Sequence, residues 1–236
     1  MNTQRIEKHI QNLKPEEALA YLLSLFPAQV AFSTSLGQED QVLTDIIFRN
    51  KLPVRVFSID TGRLFNETYE LIQITEQQYN NKIEMMFPNA NDVEELVNKN
   101  GINCFYTSVV LRKQCCHVRK VAPLRRALKN VKVWVTGLRA AQSENRHTLE
   151  KLTWDANYEV IKYNPLADWT FEEINEYLKT NNVPYNPLHR KGFVSIGCAP
   201  CTRAIAEGED IRAGRWWWEG GKKECGLHEQ PINYQI

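Results

Sequence analysis

The chain has 236 residues, 43% of them hydrophobic and 24% charged, with a formal net charge of +1. That length is enough for one well-filled core, while the near-zero balance excludes a molecule-wide field that would draw it to nucleic acid or a membrane, so any anion site must be local. Residues 1–15 are polar and no stretch approaches the length of a membrane span, which predicts a soluble cytoplasmic protein.

Apolar spacing predicts a helix over residues 16–26, a short buried strand over 29–32, a polar loop over 33–40 and a second helix from about 41 to 49. A second strand, 54–60, runs into Thr61-Gly62-Arg63 and a helix over 66–79; a third strand follows over 82–87. Helical stretches near 92–98 and 118–129 precede a fourth strand, 131–137, that leaves through a glycine. The alternation predicts an α/β fold, a mainly parallel sheet with helices on both faces. Ligands of such sheets bind at the carboxyl ends of the strands, here residues 33–40, 60–63 and 137–146. Further on, 158–163 reads as an edge strand, and 170–180 as an amphipathic helix opened by a capping box of Thr170 and Glu173. No long periodic element follows residue 181, so residues 1–207 read as one domain and 208–236 as a mobile, irregular C-terminal tail.

Three loops carry chemistry at those strand ends. Ser33, Thr34 and Ser35 offer hydroxyls, Gly37 allows close backbone approach, and the helix that follows presents free N–H groups, together an anion cradle. The loop lacks a Walker lysine, and by itself a hydroxyl-rich capped turn explains it equally well. Asp60 and Arg63 close the second strand, and Gly137 opens a turn carrying Arg139, Gln142 and Arg146, whose guanidiniums suit forked phosphate or sulfate contacts. Arg203, Arg212 and Arg215 beside Trp216-Trp217-Trp218 read either as a nucleic-acid patch or as a lid over an anionic substrate; the lid does not require a basic protein.

The six cysteines divide by spacing. Cys115-Cys116 and Cys198-x-x-Cys201 can meet only in a folded domain, and four thiolates converging there read as a metal centre. Adjacent cysteines suit a cluster with several iron corners better than one tetrahedral ion, so iron–sulfur ranks above zinc, and zinc above a disulfide. Lys113, Arg119 and Lys120 flank the first pair and can offset thiolate charge. Cys225, with Lys222 and Lys223 before it and His228 after, has the surroundings of a low-pKa nucleophile. Cys104 reads as a buried structural thiol.

The motifs Ser33-Thr34-Ser35-Leu36-Gly37-Gln38-Glu39-Asp40, Asp60-Thr61-Gly62-Arg63-Leu64-Phe65, Cys115-Cys116-His117-Val118-Arg119-Lys120, Thr136-Gly137-Leu138-Arg139, Gly197-Cys198-Ala199-Pro200-Cys201-Thr202-Arg203 and Glu224-Cys225-Gly226-Leu227-His228 resemble those of the assimilatory sulfonucleotide reductases, most closely the bacterial adenylyl-sulfate (APS) reductases. The resemblance spans about residues 29–230, departs at Thr34, and implies an adenine-nucleotide α-hydrolase-like fold with a modified PP-loop. It further implies a 4Fe-4S cluster on Cys115, Cys116, Cys198 and Cys201, a Cys225 thiolate that attacks the sulfur of APS with loss of AMP, and release of sulfite by thioredoxin or a similar dithiol donor. The branch without the two pairs prefers the 3′-phosphorylated substrate PAPS; a PAPS or dual specificity stays open, as does a homo-oligomer. The substrate-binding set is Ser33, Ser35, Gly37, Asp60, Arg63, Lys120, Gly137, Arg139, Arg146, Arg212, Arg215 and His228. Competing readings are a tRNA-thiolating ATP-pyrophosphatase, against which the chain lacks a double-glycine loop and a basic surface, and a metal–thiol redox sensor, which leaves the strand-end residues without a purpose.

Overall fold

The computed structural model describes residues 3–142 and 149–220. Its strands are β1 (Val30–Ser33), β2 (Arg55–Ile59), β3 (Glu84–Met86), β4 (Val133–Val135), β5 (Leu152–Asp155) and β6 (Val160–Tyr163). They form one sheet in the order β3-β2-β1-β4-β6-β5, parallel throughout except for the antiparallel β5–β6 pair. The helices are α1 (Thr3–Ile10), α2 (Pro15–Leu25), α3 (Gln38–Arg49), α4 (Asn66–Tyr79), α5 (Ala90–Asn100), α6 (Val109–Cys116), α7 (Ala122–Ala127) and α8 (Phe171–Thr180).

Side-chain alternation along each strand divides the core in two. Val30, Phe32, Val56, Val133, Val135, Ile161 and Tyr163 pack in one cluster with apolar residues of α1, α2, α3, α4 and α8. Their neighbours in sequence, Ala31, Phe57, Trp134 and Val160, pack in the other with Leu124 and Ala127 of α7. The sheet is thus covered on both faces, the α/β architecture expected from the alternation of elements. Continuous apolar strands such as Val-Ala-Phe and Val-Trp-Val are what double coverage requires.

Several elements differ from the sequence expectation. The strand expected at the sheet edge is β6, which lies inside between β4 and β5; the edge is β5, whose four residues give too short a pattern to read. Helix α1 is also unexpected, because only Ile6 and Ile10 of its eight residues are buried. The cysteine helix begins at Val109 and continues through a π turn at His117–Val121 into α7, so it starts well before residue 118. Within the segment read as the start of a mobile tail, residues 208–211 are exposed, but the chain then packs on the domain: Arg215 is 6% and Trp216 1% exposed, and Thr202 and Arg215 form an antiparallel bridge. Single contacts hold it there, with no repeating pattern to announce them.

Because β1 has β2 on one side and β4 on the other, the strand order reverses between β1 and β4. The loops leaving their carboxyl ends diverge there and open a crevice, the usual ligand position in such sheets.

Candidate active site

A cavity of about 560 Å³ occupies that crevice. The loop after β1 supplies one wall, through Ser33, Thr34, Ser35, Leu36 and Gly37, and the turn after β4 supplies another, through Thr136, Gly137, Leu138 and Arg139. Asp40 joins the two. Its buried carboxyl accepts from the Ser35 N–H and Ser35 hydroxyl, both at 2.6 Å, and from the Gly137 backbone. Burial is the main cause that raises its pKa to about 6, against the lowering effect of the Ser35 hydrogen bonds. A Cβ at residue 137 would collide with that carboxylate, which accounts for the glycine. Within the loop, Leu36 has a left-handed φ of 59° and donates its N–H to Thr34 Oγ1 at 3.0 Å. The indole of Trp134, on β4, donates to Ser33 Oγ at 2.8 Å.

Lys120, Arg212 and Arg215 bring positive charge to the cavity wall. Arg215 packs against Gly197, where any Cβ would strike its guanidinium, stacks 4.7 Å over Trp216, and keeps a buried Nε that has no hydrogen-bond partner among the described residues. A buried, underused guanidinium facing a cavity calls for an anion. Arg139 behaves differently from the expectation that it meets the substrate's charge. Its Nε and Nη2 lie 2.8 Å from Glu39 and its Nη1 donates to the Trp169 carbonyl at 3.3 Å, so its charge is largely answered within the protein. It ties α3 to the turn after β4.

The paired cysteines meet beside this wall. Cys115 and Cys116 end α6, while Cys198 and Cys201 frame a short 3₁₀ turn, Ala199–Cys201. Cys115, Cys198 and Cys201 pack with Phe105, Trp216 and Trp218, and Cys116 lies close enough to Cys201 to raise its pKa. Burial is the largest cause lifting Cys201 to about 12, and it also raises Cys115, so without a metal these sulfurs hold their protons. The surroundings fix the loop: Thr61 Oγ1 lies 3.3 Å from Cys198 Sγ, the Ala199 N–H donates to the Arg63 carbonyl at 2.8 Å, and Tyr106 donates to the Pro200 carbonyl at 2.7 Å. Among the described residues, no three His, Cys, Asp or Glu side chains stand close enough to grip a single metal ion. A four-iron cube spreads its thiolates more widely than one tetrahedral ion does, and the donor set fits it. Lys120, on the π turn just after Cys116, lines the cavity and also acts electrostatically on Cys201.

Asp60 and Arg63 lie outside the cavity lining. Asp60 Oδ1 accepts from Gly62 N–H at 2.7 Å and from the Tyr69 hydroxyl at 2.9 Å; Arg63 donates to the Ile102 carbonyl at 2.6 Å and stacks on Phe105. Both shape the turn that holds the Cys198 loop. Arg146, Cys225 and His228 lie outside the described residues. Cys104 is 3% exposed, in keeping with a structural thiol. Sequence reading missed His189, Phe171 and the 194–197 loop, which line the cavity from far along the chain. Burial is the main cause lowering the pKa of His189, and its Nε2 has no partner among the described residues. Asn186-Pro187, which starts its 3₁₀ turn, was the one local signal.

Comparison with known proteins agrees with this geometry. The family model described as the phosphoadenosine phosphosulfate reductase domain matches residues 29–204. A curated relative from Allochromatium vinosum, named adenosine 5′-phosphosulfate reductase, is 53% identical over 86% of this chain and 80% of its own length. One of the same name from Burkholderia cepacia is 51% identical over 86% and 82%. A crystal structure of phosphoadenylyl-sulfate reductase from Candida auris, in a phosphate complex, superimposes with a TM-score of 0.73 at 29% identity, covering 84% of this chain and 94% of that one. Yeast FAD synthetase, at 17% identity and a TM-score of 0.55, shares the fold alone. Strand order, switch-point cavity and matched motifs agree: the chain belongs to the phosphoadenosine phosphosulfate reductase family and is an oxidoreductase acting on sulfur groups.

Proposed function

We propose that the protein reduces adenosine 5′-phosphosulfate to sulfite and AMP in the cytoplasm. The observation that carries this reading is the adjacency of the switch-point cavity, walled by Lys120, Arg212 and Arg215, to the compartment holding both cysteine pairs. An adenylyl anion fits the first, and thiol chemistry needs to reach it. The Cys225 thiolate attacks the sulfur of the sulfate group; an S–S bond forms, the sulfur–oxygen bond to phosphate breaks, and AMP leaves. A thioredoxin-like dithiol then attacks Cys225, sulfite departs with the S–SO₃ bond broken, and the second thiol of the donor resolves the mixed disulfide. The two electrons come from the donor, which ends as a disulfide.

Cys115, Cys116, Cys198 and Cys201 would hold a 4Fe-4S cluster. When bound, that group supplies the positive charge that stabilises the four cysteines as thiolates, and it leaves no open position for substrate. Lys120, Arg212 and Arg215 screen the negative sulfate from the incoming thiolate. The test of the substrate is a comparison of kcat/KM for APS and PAPS with anaerobically prepared protein. APS should be preferred by at least about 1.4 kcal/mol, tenfold; equal or reversed preference would overturn that choice of nucleotide.

A further inference from the structure

The serines of the loop after β1 look interchangeable in sequence, yet the structure gives their hydroxyls opposite duties. An indole N–H can only donate. Trp134 Nε1 donates to Ser33 Oγ at 2.8 Å, so Ser33 is the acceptor in that bond and its own proton must point elsewhere. Among the described residues nothing receives it, and Ser33 lines the cavity. Ser35 is the reverse case. Its hydroxyl donates to Asp40 Oδ2 at 2.6 Å, alongside its own N–H, so only lone pairs remain on its oxygen. Thr34 is buried, and its oxygen accepts from the Leu36 N–H.

We propose that Trp134 and Asp40 set a hydrogen-bond polarity on this loop: Ser33 is a donor that meets an acceptor atom of the nucleotide, and Ser35 is an acceptor that meets an N–H or O–H of the nucleoside. This deepens the adenylyl reading and rests on it. A phosphate or sulfate oxygen offers only lone pairs, so Ser35 does not belong to the anion cradle, although its sequence position suggests that it does. The groups of an adenylyl ligand that can serve it are the exocyclic amine and the ribose hydroxyls. Trp134 is a positioning residue. It is 1% exposed, braced by Lys162 at 4.8 Å on its ring and by an edge contact with Tyr158 at 5.3 Å, so the N–H it presents has a fixed direction.

The test is AMP binding by the full, anaerobically prepared chain, at about pH 8 where carboxylates are ionised. Ser33→Ala and Trp134→Phe should each weaken AMP by about fivefold to tenfold, and the double variant should be no weaker than Ser33→Ala. Equal losses from Trp134→Phe in both backgrounds would show that the indole acts by packing and would overturn its role. Ser35 is exposed, so its arm does not depend on a core substitution. Wild type should bind at least one of IMP, 2′-deoxy-AMP and 3′-deoxy-AMP about fivefold more weakly than AMP, and Ser35→Ala should erase that discrimination while Ser33→Ala keeps it. Uniform weakening of AMP and all three analogues by Ser35→Ala would place Ser35 at the phosphate and refute the polarity, as would unchanged AMP binding. Wild-type protein that binds no AMP would instead defeat the nucleotide reading on which the proposal stands.

Discussion

Removing the carboxylate of Glu219 tests whether the segment after the cysteine loop belongs to the folded body. Arg112 donates to Glu219 through Nε and Nη2, both at 3.0 Å, with the side chains only 4% and 10% exposed. The guanidinium also stacks 4.7 Å over Trp216, and its Nη1 is buried without a partner among the described residues. Glu219→Ala takes the forked carboxylate from a buried cation and leaves it Cys116 as its remaining electrostatic and hydrogen-bonding partner; about 3–5 kcal/mol is usual for breaking a buried pair. The stack on Trp216 survives, and the 10% exposure of Glu219 lets some water in, so the low end, about 3 kcal/mol, is expected. In a domain of this size that lowers Tm by roughly 6–12 °C. Glu219→Gln, which keeps an acceptor and loses the charge, should cost about half as much. Thermal melts of preparations matched for iron content measure both. A Tm for Glu219→Ala within about 1 °C of wild type would mean that 211–220 does not contribute to the fold as its contacts imply.

Trp216→Ala, at 1% exposure beneath two arginines, should cost about 3–5 kcal/mol in urea melts; a loss under about 1 kcal/mol would contradict its burial. Gly197→Ala forces the Arg215 guanidinium aside and should weaken AMP binding about tenfold with little loss of secondary structure by circular dichroism, whereas unchanged binding would remove Arg215 from the site. Asp40 has its folded pKa raised from 3.8 to about 6, chiefly by burial, so between those values the folded state binds more protons than the unfolded one. Its contribution therefore favours folding at low pH and falls by about 3 kcal/mol as pH rises through that window. Comparing urea stability against pH for wild type and Asp40→Asn isolates it: the variant should lack that decline, and parallel curves would refute the shift.

How much of this was legible depended on whether a feature repeats. The bounds of α4 follow from 3.6-residue spacing, and those of α8 from Thr170 and Glu173, whose reciprocal capping bonds are formed. The strand-end loops were legible because the βα alternation itself says where a strand's carboxyl end lies. Helix α6 was not, since Arg-Lys-Gln-Cys-Cys has no apolar period and its burial comes from the cysteine compartment. Arg139 looked like Arg215 in sequence; only the fold reveals that Glu39, one hundred residues earlier, neutralises one of them. The lid reading of Trp216-Trp217-Trp218 had the indoles packing on the domain, and Trp216 does so; its left-handed φ of 42° and its isolated contacts leave no pattern in composition, so which of the three is buried was not legible. His189 and residues 194–197 reach the cavity through tertiary placement alone.

In the proposed reaction a cysteine outside the two pairs takes the sulfur of the nucleotide. Anaerobically prepared protein is mixed with APS labelled in its sulfur, with no dithiol donor, digested, and read by mass spectrometry. One equivalent of AMP and a sulfite-sized addition on the peptide carrying Cys225 are expected, the addition removed by a dithiol with release of labelled sulfite and absent in Cys225→Ser. An adduct on Cys104, or sulfite release by the serine variant, would contradict the proposed reaction.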